Sequence, residues 1–544
     1  MKKLSLFLFT ALILFSPRLN AQQPKLVVII ALDQFPYEYI TRFQPYFGKN
    51  GFNYLLKNGA TFTNARYEHA FTKTSPGHAA CMTGAYSHFN GIISNRWYDR
   101  SKRKVINSVD DESVQLLGVK GTGISPRNLL TYTVGDMLRL NTGFRSKVIS
   151  VSNKDRVAVL MGGKLGKAFW FDDSAVVTSS YYESSLPKWL VEFNASGAMQ
   201  QYFGKHWTEL NPIAARKICD VDDAPYEQNL YALGKVFPHL ITGTGTDRLT
   251  PSYYGALAYS PFSTELLFNV VQKAFSVETL GTRGVTDMLC VGVSVTDLVG
   301  HAYGPQSHEV FDNALRTDAM LAQFFSFLDA KVGLKNCIIA LTSDHGIAPI
   351  PEYIKKHTPN ADAGRVRISD ISKFAISTLD KAFGKVQSGR PWLNQVIETE
   401  VYINRDVVAE KGLSLEVVER VLKDSSSGVS PFAAAYTRDE IERNTARGRF
   451  AEQVENSFFP ERSADVFFIL KPYYIGTADT AGTNHGQPYD YDAHVPLIFV
   501  GKNFKPGTYT SEVSPIDLAP TLSEVMKIEF PPSREGRVLV EALR

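Results

Sequence analysis

The sequence predicts an α/β protein built on a mostly parallel sheet sandwiched by helices, with inserted cap regions, and three observations predict it. Short apolar runs rich in β-branched residues recur without the polar alternation of a half-solvated sheet. Helix-period stretches lie between some of them, and acidic or imidazole side chains close three of the runs. The clearest runs are Lys25–Leu32 (KLVVIIAL), Lys147–Val151 (KVISV), Met288–Val295 (MLCVGVSV), Cys337–Thr342 (CIIALT), Val466–Leu470 (VFFIL) and Val495–Val500 (VPLIFV), each read as a buried parallel strand. Glu309–Val332 carries apolar positions at three- and four-residue spacing, as an amphipathic helix does.

Two regions break the pattern. Residues 166–280 are rich in aromatics and Pro, and residues 350–460 are more charged and mixed; both are expected to be insertions that cap the sheet edge. No internal repeat is visible, so a solenoid is not expected.

The first residues place Lys2 and Lys3 before an apolar run from Leu4 to Phe15, with Ala21 as a small residue at a cut site. That reads as a secretory signal peptide over 1–21, since the run falls short of the roughly 20 residues a spanning helix needs. The catalytic chain, 22–544, is expected in the periplasm or outside the cell, without a membrane or lipid anchor. Net charge is +3, from 58 basic and 55 acidic residues, a balance that argues against a general nucleic-acid binder. Cys81, Cys219, Cys290 and Cys337 show no CxxC spacing, which disfavours a thiolate metal site and leaves disulfide pairing open.

Sheets of this class bind ligands beyond the carboxyl ends of their strands. Asp33 closes the first run, Asp297 follows MLCVGVSV with His301 in a D-x-x-x-H spacing, Asp344 and His345 close CIIALT, and His485 stands in NHGQ. Three Asp and three His without thiolates suit two hydrolytic metal sites of three protein ligands each. Each residue alone also fits a turn or a helix cap. Thr74 lies ahead of Ser75, Pro76 and Gly77, which places its hydroxyl at a helix amino end, where free N–H groups favour a phosphate anion. Thr72 and Ser75 are local rivals for a nucleophile.

Taken in order, LDQF at Asp33, KTSPGH, the NRWYD around Asn95, SNKDR, SVTDLVGH, SDHG, NHG and a terminal DLAPTL at Asp517 resemble the alkaline phosphatase superfamily, specifically its single-chain, phosphate-irrepressible bacterial alkaline phosphatases. The resemblance covers nearly all of 22–544. It implies two zinc ions, one held by Asp297, His301 and His485, the other by Asp33, Asp344 and His345 with the Thr74 oxygen. It makes Thr74 the transiently phosphorylated nucleophile, Asn95 a donor to a phosphoryl oxygen, and Lys154 and Arg156 the paired cations that compensate a monoester's extra charge. In an extended segment those two would share one face.

The expected function is hydrolysis of small phosphate monoesters with release of inorganic phosphate, as a broad scavenger acting as a monomer. Nucleotide pyrophosphatase/phosphodiesterases share the Thr, the Asn and both metal triads but lack the Lys and Arg pair. The C/S-x-P-x-R segment of sulfatases is absent, and a cofactor-independent phosphoglycerate mutase would be cytosolic and use Ser. An exported protein that binds metal or phosphate without catalysis is the alternative from another class.

Overall fold

The computed structural model describes residues 23–245 and 249–544; the signal peptide read at 1–21 lies outside the described residues. The apolar run after Lys25 becomes β1 (Leu26–Leu32), whose seven residues are all fully buried. Leu26, Val28, Ile30 and Leu32 enter one hydrophobic cluster, while Val27, Ile29 and Ala31 enter another. Successive side chains of a strand point to opposite faces, so this split shows a sheet covered on both sides. Burial of each such aliphatic side chain contributes roughly 1.5–3 kcal/mol, which makes β1 a central staple of the fold.

The other strands of the main sheet, in chain order, are β2 (Gly59–Arg66), β3 (Leu116–Leu117), β4 (Val148–Ser152), β5 (Lys167–Asp172), β6 (Ala175–Ser179), β7 (Asp287–Val293) and β8 (Cys337–Ser343), then, after the region 350–460, His494–Val500 and Gly507–Tyr509. Ten strands form the sheet. From one edge the order is Gly507–Tyr509, β2, His494–Val500, β8, β1, β7, β4, β5, β6, β3. The central five, β8 to β5, run parallel, with Leu26 opposite both Asp287 and Cys337. Helices Tyr37–Phe43, Pro261–Glu278 and His308–Lys331 supply buried residues to one face. Thr74–Thr83, Val134–Asn141, Asp155–Gly162 and Leu518–Met526 cover the other.

Two of the six apolar runs depart from the expected parallel pairing. VPLIFV lies in the main sheet but runs antiparallel to both neighbours. VFFIL belongs to a separate antiparallel sheet of four strands, ordered Leu393–Ile397, Glu400–Ile403, Val466–Leu470 and Phe432–Thr437. That sheet packs with helices Ile368–Phe383 and Leu415–Ser426 around its own core, which includes Leu379, Val401, Leu422 and Phe468. A continuous apolar run reports burial on two faces, and burial carries no information about strand direction.

Within 166–280, β5 and β6 join the main sheet and the helix Pro261–Glu278 packs on it; the described residues of the stretch between them add no strand to that sheet, but Trp189, Tyr202, Trp207 and Tyr253 there share the hydrophobic cluster of β1. All four cysteines are free thiols, with Cys81, Cys290 and Cys337 buried. No helix among the described residues is long and apolar enough to cross a membrane.

Candidate active site

Four adjacent parallel strands, β8, β1, β7 and β4, deliver side chains past their carboxyl ends at one edge of the sheet. Asp344 and His345 follow β8 and Asp33 follows β1. After β7 the helix Val295–Tyr303 carries Asp297 in its first turn and His301 four residues on. That spacing stacks the two on one helix face, and His301 Nε2 sits 3.1 Å from Asp297 Oδ1. Lys154 follows β4 and caps the helix Asp155–Gly162. His485 arrives from a loop beyond the four-stranded sheet, its Nε2 3.8 Å from Asp297 Oδ1.

The ligand atoms of Asp297, His301 and His485 lie within 4.8 Å of one another, and so do those of Asp33, Asp344 and His345. The His345 and His485 rings stack with centroids 3.6 Å apart, so the two triads abut. Each imidazole is fixed from behind. Nδ1 of His301 pairs with the Thr483 carbonyl (2.9 Å), that of His345 with Gly346 (2.9 Å) and that of His485 with Thr72 (2.7 Å). A ring that donates from Nδ1 presents a bare Nε2, the atom and tautomer a metal requires.

The donor set also passes a test for cations. Asp33 Oδ1 and Asp344 Oδ2 are buried without any hydrogen-bond partner, a costly state for a carboxylate oxygen unless a positive group sits against it. The charges register the same deficit. Burial, then the neighbouring Asp344, pushes Asp33 well above its ordinary range, and burial lifts Asp344 to about 7. Burial and then His301 lower His485 to about 4, and burial followed by His485 depresses His345. Asp297 moves the other way, because His301 and Lys154 outweigh its burial. The Lys154 ammonium bridges the two triads, 2.7 Å from Asp33 Oδ2 and 2.5 Å from Asp297 Oδ2.

Thr74 opens the ten-residue helix Thr74–Thr83, whose preceding residue makes no side-chain cap. Gly77 lets that helix end press on the β8 loop, since a Cβ there would fall 2.2 Å from the Asp344 carbonyl. The Thr74 hydroxyl is buried and 3.4 Å from His345 Nε2. Its two rivals are otherwise engaged: Thr72 Oγ1 donates to the Gln487 carbonyl, and Ser75 Oγ pairs with Ser108 Oγ at 2.7 Å. Asn95 Oδ1 accepts from the Ser75 N–H at 2.8 Å, which leaves the Nδ2 donors for another partner.

Arg156 departs from the sequence expectation. Asp155 and Arg156 already belong to a helix, so the shared-face argument for an extended segment does not apply. Lys154 reaches the triads while Arg156 is partly exposed and turns to Asp155, Nε to Oδ1 3.4 Å.

Four further residues complete the site and carried little or no signal in the sequence. Buried His78 lies 3.3 Å from Asp344 Oδ2. Gln34, held in the left-handed region at φ +59°, donates from Nε2 to Asp297 Oδ1 at 2.7 Å. Buried Lys73, next to Thr74, pairs with Glu398 at 2.6 Å and approaches Ser94 Oγ, beside Asn95, at 3.5 Å. Glu398 sits in the hairpin between Leu393–Ile397 and Glu400–Ile403, so the region 350–460 touches the segment that carries Thr74.

A model of the type I phosphodiesterase / nucleotide pyrophosphatase family matches residues 27–489, and the chain belongs to that family. Within it the chain sides with alkaline phosphatases of the PafA type. It is 32% identical over 528 residues to alkaline phosphatase PafA of Elizabethkingia meningoseptica, covering 96% of this chain and 95% of that one. It is also 32% identical over 564 residues to alkaline phosphatase PhoV of Synechococcus elongatus, covering all of both. A Myroides odoratus relative, 31% identical over 552 residues that cover 98% of this chain and 97% of that one, is named a calcium-transporting ATPase. The crystal structure of wild-type PafA superposes with a TM-score of 0.89 over 96% of this chain and 99% of that one, so the two share one α/β fold.

Proposed function

We propose that this enzyme is a zinc-dependent alkaline phosphatase that hydrolyses small phosphate monoesters through a phosphothreonine at Thr74, exported to the periplasm or beyond and working as a monomer. The observation that carries the proposal is a pair of abutting three-ligand clusters with one buried hydroxyl, that of Thr74, 3.4 Å from His345. Asp297, His301 and His485 would hold one zinc; Asp33, Asp344 and His345, with the Thr74 oxygen, would hold the other. When bound, the ions supply Lewis acidity that favours alkoxide over hydroxyl and neutralises negative charge in transfer.

The chain's own residues do the rest. Thr74 Oγ attacks phosphorus; the phosphoryl–oxygen bond of the ester breaks, and water then cleaves the threonine ester to release phosphate. The amide of Asn95, oriented by the Ser75 N–H, donates to a non-bridging oxygen. Lys154 supplies the positive charge that a monoester needs and a diester needs less. Arg156 is assigned the same role from the first turn of its helix.

A diesterase is the competing reading, given the family's description. The ammonium between the triads favours monoesters. The terminal phosphoryl group of ATP is a monosubstituted phosphate too, so the Myroides relative's name suits the same site. Rapid mixing with an aryl phosphate should give a burst of phenol equal to the enzyme present. Loss of that burst is expected in Thr74→Ala and after chelation; a full burst in either would sink the proposal.

A further inference from the structure

At the open end of the hairpin Leu393–Ile397 and Glu400–Ile403, a cleft of about 560 Å³ is lined by four guanidiniums, those of Arg100, Arg103, Arg390 and Arg405. The lining holds one carboxylate among the described residues, Asp406, 3.5 Å from Arg103. Behind it lies Asp465, whose side chain is fully buried. Asp465 Oδ1 accepts from Arg100 Nη2 at 2.9 Å, Arg405 Nη2 at 2.8 Å and Arg438 Nε at 3.2 Å, while Oδ2 accepts from the Ile403 N–H. Arg438 has a carboxylate of its own in Glu442, at 2.8 Å. The four guanidiniums of the lining therefore face two carboxylates, which leaves two positive charges over. Arg100 registers the surplus: burial lowers its guanidinium from the ordinary range, and Arg438 and Arg405 push the same way against Asp465. Its Nε is buried with no hydrogen-bond partner among the described residues. A half-buried guanidinium crowded by others is costly unless an anion sits beside it.

The cleft lies apart from the ligand clusters. The strand Arg96–Asp99 starts after Asn95 and ends at Arg100, and Glu400–Ile403 leads from the Glu398 turn to Arg405. Three steps along Arg96–Asp99 cover about 10 Å, so a phosphate held at Asn95 is not the one held in the cleft. We infer that the cleft is a second anion site, which takes a phosphate dianion: free phosphate or the phosphoryl group of a small monoester. The two surplus charges match the two of the dianion, and the planar fork of a guanidinium matches a pair of phosphate oxygens.

The test is a calorimetric titration of the zinc-loaded enzyme with inorganic phosphate, in about 0.15 M sodium chloride so that diffuse surface charge is screened. Two equivalents should bind. The double variant Arg103→Ala, Arg390→Ala should weaken one of them about tenfold or more and leave the other in place. Both side chains are exposed, Arg103 by 76%, so the fold does not depend on them. Arg390→Glu, which reverses one charge, should remove the same equivalent. A parallel titration with phenylphosphonate separates the sources: two equivalents there assign the cleft to any phosphoryl group, and one assigns it to free phosphate. An isotherm that both variants leave unchanged, or the loss of both equivalents together, would overturn the site.

Discussion

Replacing Lys154 with alanine removes the ammonium that bridges Asp33 and Asp297, and the cost should depend on the charge of the substrate. The Lys154 side chain is 18% exposed, so its field is screened as a charge near a protein surface is. At an effective dielectric constant of 20, one extra negative charge about 4 Å away is worth about 4 kcal/mol, or about a thousandfold in rate. A monoester dianion carries that extra charge and a diester does not. Lys154→Ala should therefore lower kcat/KM for phenyl phosphate about a hundred- to a thousandfold. For methyl phenyl phosphate the loss should be about tenfold. Arg156, 31% exposed and already facing Asp155, should cost about tenfold on the monoester when replaced by alanine. The assay measures kcat/KM for both esters with zinc content determined in parallel. Equal losses on the two substrates, or a greater loss at Arg156 than at Lys154, would refute the charge argument.

Chelation should abolish activity, with two equivalents of zinc restoring it; Asp297→Asn should retain only one ion, and full activity without bound metal would contradict the ligand assignment. Glu398→Gln weakens the buried pair with Lys73 and should lower kcat about tenfold at unchanged zinc content, because that pair positions the segment carrying Thr74; an unchanged kcat would remove Glu398 from the site. Glu400 is 2% exposed and burial raises its carboxyl from 4.5 to about 7, so the folded protein keeps a proton that the unfolded chain has lost in this window. Its stabilising proton is fully present below pH 4.5, and stability should fall as pH rises to 7, by about 3 kcal/mol relative to Glu400→Gln. Denaturant titrations of both proteins at pH 4.5 and pH 7.5 check this, and a pH-independent difference would contradict it.

Much of the arrangement was legible because it rests on local rules. Asp33, Asp297, Asp344 and His345 each follow an apolar run, and the rule for strand ends brings them to one sheet edge. The start of the Thr74–Thr83 helix followed from Pro76 two residues in. What stayed hidden depends on tertiary contacts. VFFIL and VPLIFV have the same composition as the parallel strands, and only their neighbours decide sheet and direction. The backbone around Arg156 reads as extended because SNKDR fits a strand end and a helix start equally well. Glu398 reaches Lys73 across 325 positions of sequence from a region whose fold no periodicity announces. Gln34 needed a backbone conformation that a single residue in LDQF does not advertise.

The chemical role of Thr74 can be read directly by quenching the zinc-loaded enzyme in acid during turnover and mapping its phosphopeptides by mass spectrometry. One phosphate should appear, on Thr74. Phosphate on Thr72 or Ser75, or none on the chain during steady hydrolysis, would contradict the account.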